Sequence, residues 1–278
     1  MIIVERDTCR NFDEAISREW LVTNGIGGFA SGTVAGPNTR RYHGLLVAAL
    51  DPPRKRTVLL ARVDEEVIVD DRTFYLGSSE FQDGTIDPHG YIHLEECRVE
   101  GGTASFLYAV PGALLTKRIW MVDGQNTTCV RYSLDPQSHP ITLRIMLHVT
   151  FRDFHHETRG SNDWVFATVD VDDGAEITAY SGAHPLRVRM RPTTPLIQTG
   201  VWYWRYLHRV ERDRGLDSIE DLYTPGLFVS TLPPGGFTTL VASTEDWSRI
   251  PGNDEPAAIG RRERRRSAAT VSPGGPSP

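Results

Sequence analysis

The segment "ITLRIMLHVTF" alternates Ile141, Leu143, Ile145, Leu147, Val149 and Phe151 with Thr142, Arg144, Met146, His148 and Thr150. One apolar face and one mixed face is what a half-buried antiparallel strand requires. The runs "ALLTKRIWMV" and "TTCVRYSL" flank "DGQN", a turn-rich tetrapeptide, and predict a hairpin. Short β-rich runs continue along the chain ("TVLLARVDEEVIV", "YIHLEECRV", "ASFLYAV", "AEITAY", "LRVRM", "VWYWRYLHRV", "GLFVS", "FTTLVA"), punctuated by Gly, Pro, Asp or Asn. Helix is predicted only near "GLDSIEDLY" (215–223) and in the extreme tail. Many strands without crossover helices predict an all-β fold, a large antiparallel two-sheet β-sandwich of supersandwich type, over residues 1–248. Residues 249–278 lack a periodic apolar face and end in Pro, Gly and Ser, so they predict a disordered C-terminal tail.

Composition narrows the setting. Hydrophobic residues make up 39% and charged residues 24% of 278, enough for a sizeable core. No apolar run approaches the length of a membrane span, and the N-terminus "MIIVERDTCRNFDE" has acids where an export signal needs a basic start. The cytoplasm is the expected location. Cys9, Cys97 and Cys129 form no CxxC pair and give no metal or disulfide framework. The net charge is −6, but the last thirty residues hold six arginines against three acids, which leaves residues 1–248 at −9. An acidic body argues against nucleic acid as the partner, and "RRERRR" reads as a solvated stretch of the tail.

Residues 23–44, "TNGIGGFASGTVAGPNTRRYHG", contain six glycines. Gly25, Gly27 and Ala30 match a dinucleotide fingerprint, but Gly32, Gly36 and Pro37 forbid the helix that must follow, and no GK[ST] makes a phosphate loop. The glycines therefore serve turns and bulges. Period two places Arg41 and His43 on one face of a strand and Tyr42 on the other, at the entrance of "LLVAAL". These groups either meet a ligand or are satisfied by acids such as Asp64, Glu65 or Glu66. In "FRDFHHETRG" adjacent His155 and His156 point to opposite faces of a strand and match no zinc spacing. Trp202, Trp204 and Tyr206 share one face of a predicted strand, as core residues or as a platform on which sugar rings stack. Acids follow at Glu211, Asp213, Asp217, Glu220 and Asp221.

The run from Glu19 to Val67, with its TNGxGGxxSGT…TRRYHGLL core, resembles the opening of bacterial and archaeal-type glycogen debranching enzymes of the amylo-α-1,6-glucosidase class. "RDFHHETRG" and "ERDRGLDSIEDLYTPGLF" resemble later blocks of the same N-terminal domain, so the likeness spans roughly residues 10–248. The resemblance implies a β-sandwich preceding an (α/α)6 glucosidase barrel that carries the catalytic carboxylates. A barrel needs several hundred further residues, so the expectation is a truncated or frameshifted product, or a split enzyme whose barrel is a separate chain. On this basis the candidate substrate-binding residues are Asn24, Arg40, Arg41, Tyr42, His43, Trp202 and Trp204. No catalytic residue, metal ligand or cofactor is assigned. The expected partners are an α-glucan, glycogen or limit dextrin, and a separate glucosidase chain, with neither nucleic acid nor membrane. Two alternatives stand beside this: a free-standing glucan-binding module, and a hydrolase using acids such as Asp64, Glu66, Asp217 or Glu220.

Overall fold

The alternating segment forms one long strand, Ile141–Asp153, with Ile141, Leu143, Ile145, Leu147 and Val149 all buried against the core. In the computed structural model, which describes residues 1–250, this strand lies near the middle of one of two large antiparallel sheets. Among the described residues its sheet runs, in order, Ile197–Leu207, Ile219–Leu232, Ile141–Asp153, Arg54–Val69, Gly44–Asp51, Phe29–Thr33 and Glu19–Thr23, with Arg72–Tyr75 added beside Arg54–Val69. The facing sheet runs Ile2–Glu5, Leu94–Glu100, Thr103–Val110, Ala113–Met121, Thr127–Leu134, Phe237–Ser243, Leu186–Arg191, Gly174–Thr178 and Ala167–Val171. The "DGQN" hairpin forms as its sequence predicts, with Met121 opposite Thr128 and Leu115 opposite Leu134. The all-β two-sheet sandwich is thus the observed fold, while the expected tail lies, from residue 251 onward, outside the described residues. No helix among the described residues is long and apolar enough to cross a membrane.

Side chains from both inner faces fill one core, in which Leu143, Ile145 and Phe228 of one sheet and Ile119, Tyr132 and Leu240 of the other are at most 1% exposed. Each such aliphatic side chain contributes about 1.5–3 kcal/mol relative to leaving it in water. A polar cluster sits within that apolar layer. Glu65 of one sheet meets Lys117 at 2.5 Å and accepts a hydrogen bond from the Tyr132 hydroxyl at 2.6 Å, both from the other sheet.

Local chemistry departs from the sequence reading in four places. Two short helices, Arg6–Arg10 and Phe12–Ile16, precede the first long strands. Asn11 caps the second, its Oδ1 accepting the Glu14 N–H at 3.4 Å while its Nδ2 donates to the Glu14 carboxylate at 2.9 Å, and Cys9, Phe12, Ala15 and Ile16 are buried. The helix expected over 215–223 falls earlier, at Arg209–Asp213. Gly215 (φ 72°) ends it, and Ile219 onward is captured as a strand between two neighbours, so cross-strand pairing overrides local preference. Third, residues 40–43 form a turn closed by the His43 N–H on the Arg40 carbonyl at 3.0 Å, so the strand begins only at Gly44 and the face assignment of Arg41, Tyr42 and His43 does not apply. Last, the strand Ile197–Leu207 is bulged between Tyr203 and Tyr206, with Arg205 at φ 63°. The extra residue turns Tyr206 away from Trp202 and Trp204, and it packs on Phe81 with ring centroids 5.3 Å apart.

Candidate functional site

Three loops gather at one end of the outer face of the Ile141-containing sheet: the turn Pro37–His43, the loop 153–161 and the segment 208–218. Arg41 joins them. Its guanidinium donates to the His155 carbonyl at 2.6 Å and the Asp217 carbonyl at 2.8 Å, and it lies 3.1 Å from Glu157 and 3.6 Å from Glu211. Beneath it a chain of buried charges continues. His208 stands 3.9 Å from Glu157 and 3.3 Å from Glu220, and Glu220 is gripped by both forks of Arg152. Burial works against ionisation of Glu220, but Arg152 and His208 override it and bring its pKa down to about 2. Burial likewise opposes charge on His208, yet Glu157 and Glu220 outweigh it and raise its pKa above the ordinary value. The Thr158 N–H donates to Glu220 at 3.2 Å, which ties the loop 153–161 to this ionic floor.

Above the floor, Tyr42 is half-buried, its ring 5.3 Å from Phe154 and its hydroxyl 3.2 Å from His155 Nδ1. Arg40 and His43 turn the other way, toward Glu19. Arg40 Nε donates to Glu19 at 2.6 Å, and His43 Nε2 lies 3.6 Å from the same oxygen. His43 and Arg40 together hold the Glu19 pKa at about 2. His43 is buried, accepts the Thr39 N–H on Nδ1, and has its own pKa lowered by burial. It is a neutral ring that braces the turn.

Five residues beyond His155, the same loop reaches the tryptophans. Trp202 donates from Nε1 to the Trp164 carbonyl at 2.7 Å. Trp204 stacks on Trp202 at 5.8 Å and 29° and is 41% exposed, so much of its side chain reaches solvent. Asp221 sets this arrangement: one oxygen accepts the Arg205 N–H at 2.9 Å, which fixes the bulge, and the other accepts the Gly160 N–H at 3.0 Å, which fixes the loop. Gly160 must lack a side chain, because a Cβ there would lie 2.6 Å from Trp202 and 2.9 Å from Trp204.

Arg41, Tyr42, Trp202 and Trp204 are therefore assembled along one loop, whereas Asn24 is not among them. It lies at the opposite end of the Glu19–Thr23/Phe29–Thr33 hairpin, fully buried. Its Oδ1 accepts the N–H groups of Ile26 (3.1 Å) and Gly28 (2.9 Å), and its Nδ2 donates to the Gln125 carbonyl and to Asn126. A Cβ on Gly28 would sit 2.5 Å from Asn24 and 2.7 Å from Asn126, which is why the motif carries glycine there. The acids weighed as partners for Arg40 and Arg41 are engaged elsewhere. Asp64 pairs with Arg62 and His148, Glu65 faces the core, and Glu66 meets Arg144 at 3.2 Å.

A general acid for glycoside hydrolysis needs a carboxyl held un-ionised until it donates. Burial pushes Asp64 up, but Arg62 and His148 win and keep it well below the carboxylate range. Glu220 is held ionised in the same way, Glu66 is paired with Arg144, and Asp217 is 81% exposed beside Arg159. Among the described residues no three His, Cys, Asp or Glu side chains converge as a metal-binding set.

A family profile described as "Glycogen debranching enzyme N terminal" matches residues 18–239. The chain belongs to the glycogen debranching enzyme N-terminal family. Among solved structures, a bacterial glucoamylase complexed with acarbose aligns at 8% identity and a TM-score of 0.38, over 86% of this chain and 32% of that one. This debranching-enzyme domain thus spans about a third of the length of that glucoamylase. No curated protein sequence matches it. Within the family domain, the candidate surface also rests on Gly160 and His208, which sequence reasoning did not name, and on Glu157 and Asp221, which it met only as members of acid-bearing stretches. The signal was present, since "RDFHHETRG" holds Glu157 and Gly160 and "ERDRGLDSIEDLYTPGLF" holds Asp221.

Proposed function

We propose that this chain is a non-catalytic α-glucan-presenting domain, working in the cytoplasm beside an (α/α)6 glucosidase barrel supplied as a separate chain. The observation that carries the reading is the exposed Trp204 indole on the strand Ile197–Leu207, stacked on Trp202 and packed against the loop whose His155 carbonyl holds Arg41. An indole plane stacks on the apolar face of a glucose ring, and Arg159, next to Gly160 on the loop that packs on both indoles, offers a half-exposed guanidinium to hydroxyls. Family membership supports glucan as the ligand class. The ionised, arginine-bound state of Asp64 and Glu220 supports the non-catalytic part.

The test is co-sedimentation of the chain with glycogen, with glucose release from limit dextrin assayed in the same tubes. The expected result is binding without release, weakened at least fivefold in Trp204→Ala. Release of glucose by the chain alone overturns the non-catalytic reading; binding that ignores Trp204 overturns the assigned surface.

A further inference from the structure

The glycine-rich motif around Asn24 takes no part in the surface just described, and it forms one wall of something else. Between the two sheets, at the end where Gly44–Asp51 turns into Arg54–Val69, lies an open cleft of about 460 Å³. That volume falls within the roughly 300–1,000 Å³ of small-ligand sites. Ile26, on the loop that Asn24 pins through two N–H groups, stands on one side. Asn126 fixes the base by exchanging hydrogen bonds with Ala49, 3.0 and 2.9 Å long, and so joins the sheets beneath the opening. The opposite wall comes from the start of Leu186–Arg191 and from the segment after Phe237–Ser243.

The polar groups of the cleft hold one another rigid. Arg187 donates to Glu176 at 3.0 Å and to the Glu245 carbonyl at 3.0 Å, and it lies 3.7 Å from Asp246. Glu245 accepts the Asn126 N–H at 3.1 Å and pairs with Arg249 at 2.7 Å. What remains for a ligand is the exposed Asp246 carboxylate, the outer N–H groups of Arg249 and the Nε2 of exposed His184, whose Nδ1 rests near its own Pro185 carbonyl. Two guanidiniums face two carboxylates, so the lining is balanced in charge and favours a neutral occupant over a phosphate. Planar acceptors and donors above an apolar floor of Ala49, Leu50 and Pro52 suit vicinal hydroxyls on one side of a ring and its C–H groups on the other.

We propose that this cleft is a second carbohydrate site, for a short neutral oligosaccharide, built by the Asn24 loop and separate from the Trp204 surface; its assignment to α-glucan rests on the function proposed above. Asp246 and His184 bind hydroxyls directly, and Asn24 is a positioning residue for the wall.

Calorimetric titration of the full chain with maltotriose, alongside glycogen co-sedimentation, tests it. Asp246→Ala and His184→Ala change exposed side chains, so the variants keep their fold, checked by unchanged thermal midpoints. Each is expected to weaken maltotriose at least fivefold while Trp204→Ala leaves a maltotriose site intact, and inorganic phosphate does not displace the sugar. If maltotriose affinity depends on Trp204 and ignores Asp246 and His184, the cleft proposal is overturned and the glucan-presenting function stands. If maltotriose fails to bind while glycogen does, the cleft alone is overturned. If neither binds, the glucan reading fails and takes the cleft with it.

Discussion

Replacing Glu220 by Gln probes the ionic floor directly. The carboxylate is 1% exposed and receives both forks of Arg152, the Thr158 N–H at 3.2 Å and His208 at 3.3 Å. Gln preserves shape but removes the charge, leaving Arg152 and His208 as buried cations with one neutral acceptor between them. The Glu220 pKa falls from 4.5 to about 2 in the fold, and at about 1.4 kcal/mol per unit this corresponds to roughly 3 kcal/mol of stabilisation by the ionised form. Breaking one side of a buried pair costs about 3–5 kcal/mol, which agrees. Urea unfolding at pH 7, with a slope on the order of 2–3 kcal/mol/M, then shifts its midpoint down by about 1–2 M without a change in slope. Acid supplies the second arm. A depressed carboxylate contributes fully above its unfolded value of 4.5 and loses that contribution as pH falls toward 2. The wild-type and Glu220→Gln curves must therefore converge as pH approaches 2. A loss at pH 7 under about 1 kcal/mol, or a gap that persists undiminished into acid, refutes the reasoning.

On the basic side the sign reverses. The raised pKa of His208 gives stability that is complete below its ordinary 6.5 and declines as pH rises through the folded-state value. Thermal midpoints measured from pH 6 upward should fall more steeply for wild type than for His208→Gln, and parallel curves contradict the assignment. Gly160→Ala drives a methyl group to within 2.9 Å of both tryptophans; it should cost about 1–3 kcal/mol and diminish the near-ultraviolet circular dichroism of the stacked pair, a signal whose persistence rules the contact out. Asn24→Ala leaves the Ile26 and Gly28 N–H groups without their acceptor and should cost about 2–4 kcal/mol in urea unfolding; a loss below that range means the loop finds other partners.

The sandwich was legible where periodicity is long, as in Ile141–Phe151, because burial of one face enforces the pattern over many residues. The face of Tyr206 was not, because a bulge set by the distant Asp221 shifts the register between Tyr203 and Tyr206. The turn at residues 40–43 was misread as strand for a related reason: apolar alternation begins only at Gly44, and nothing local marks where pairing stops. Arg41 and Tyr42 could be singled out from residue type alone. Their partners could not, since Arg41 bonds to carbonyls 114 and 176 positions away. The short helix Phe12–Ile16 depends on a single cap and on burial against other elements, which a five-residue window does not reveal.

Glu65, Lys117 and Tyr132 have a consequence for the sandwich as a mechanical object. Apolar faces can slide over one another with little penalty, but this ion pair spans the two sheets. A slip by one residue, about 3.4 Å, separates carboxylate from ammonium and strands both in an apolar layer, where an unmated charge costs several kcal/mol. The trio therefore works as a key in a slot, admitting one alignment of the sheets out of many that greasy packing alone would tolerate.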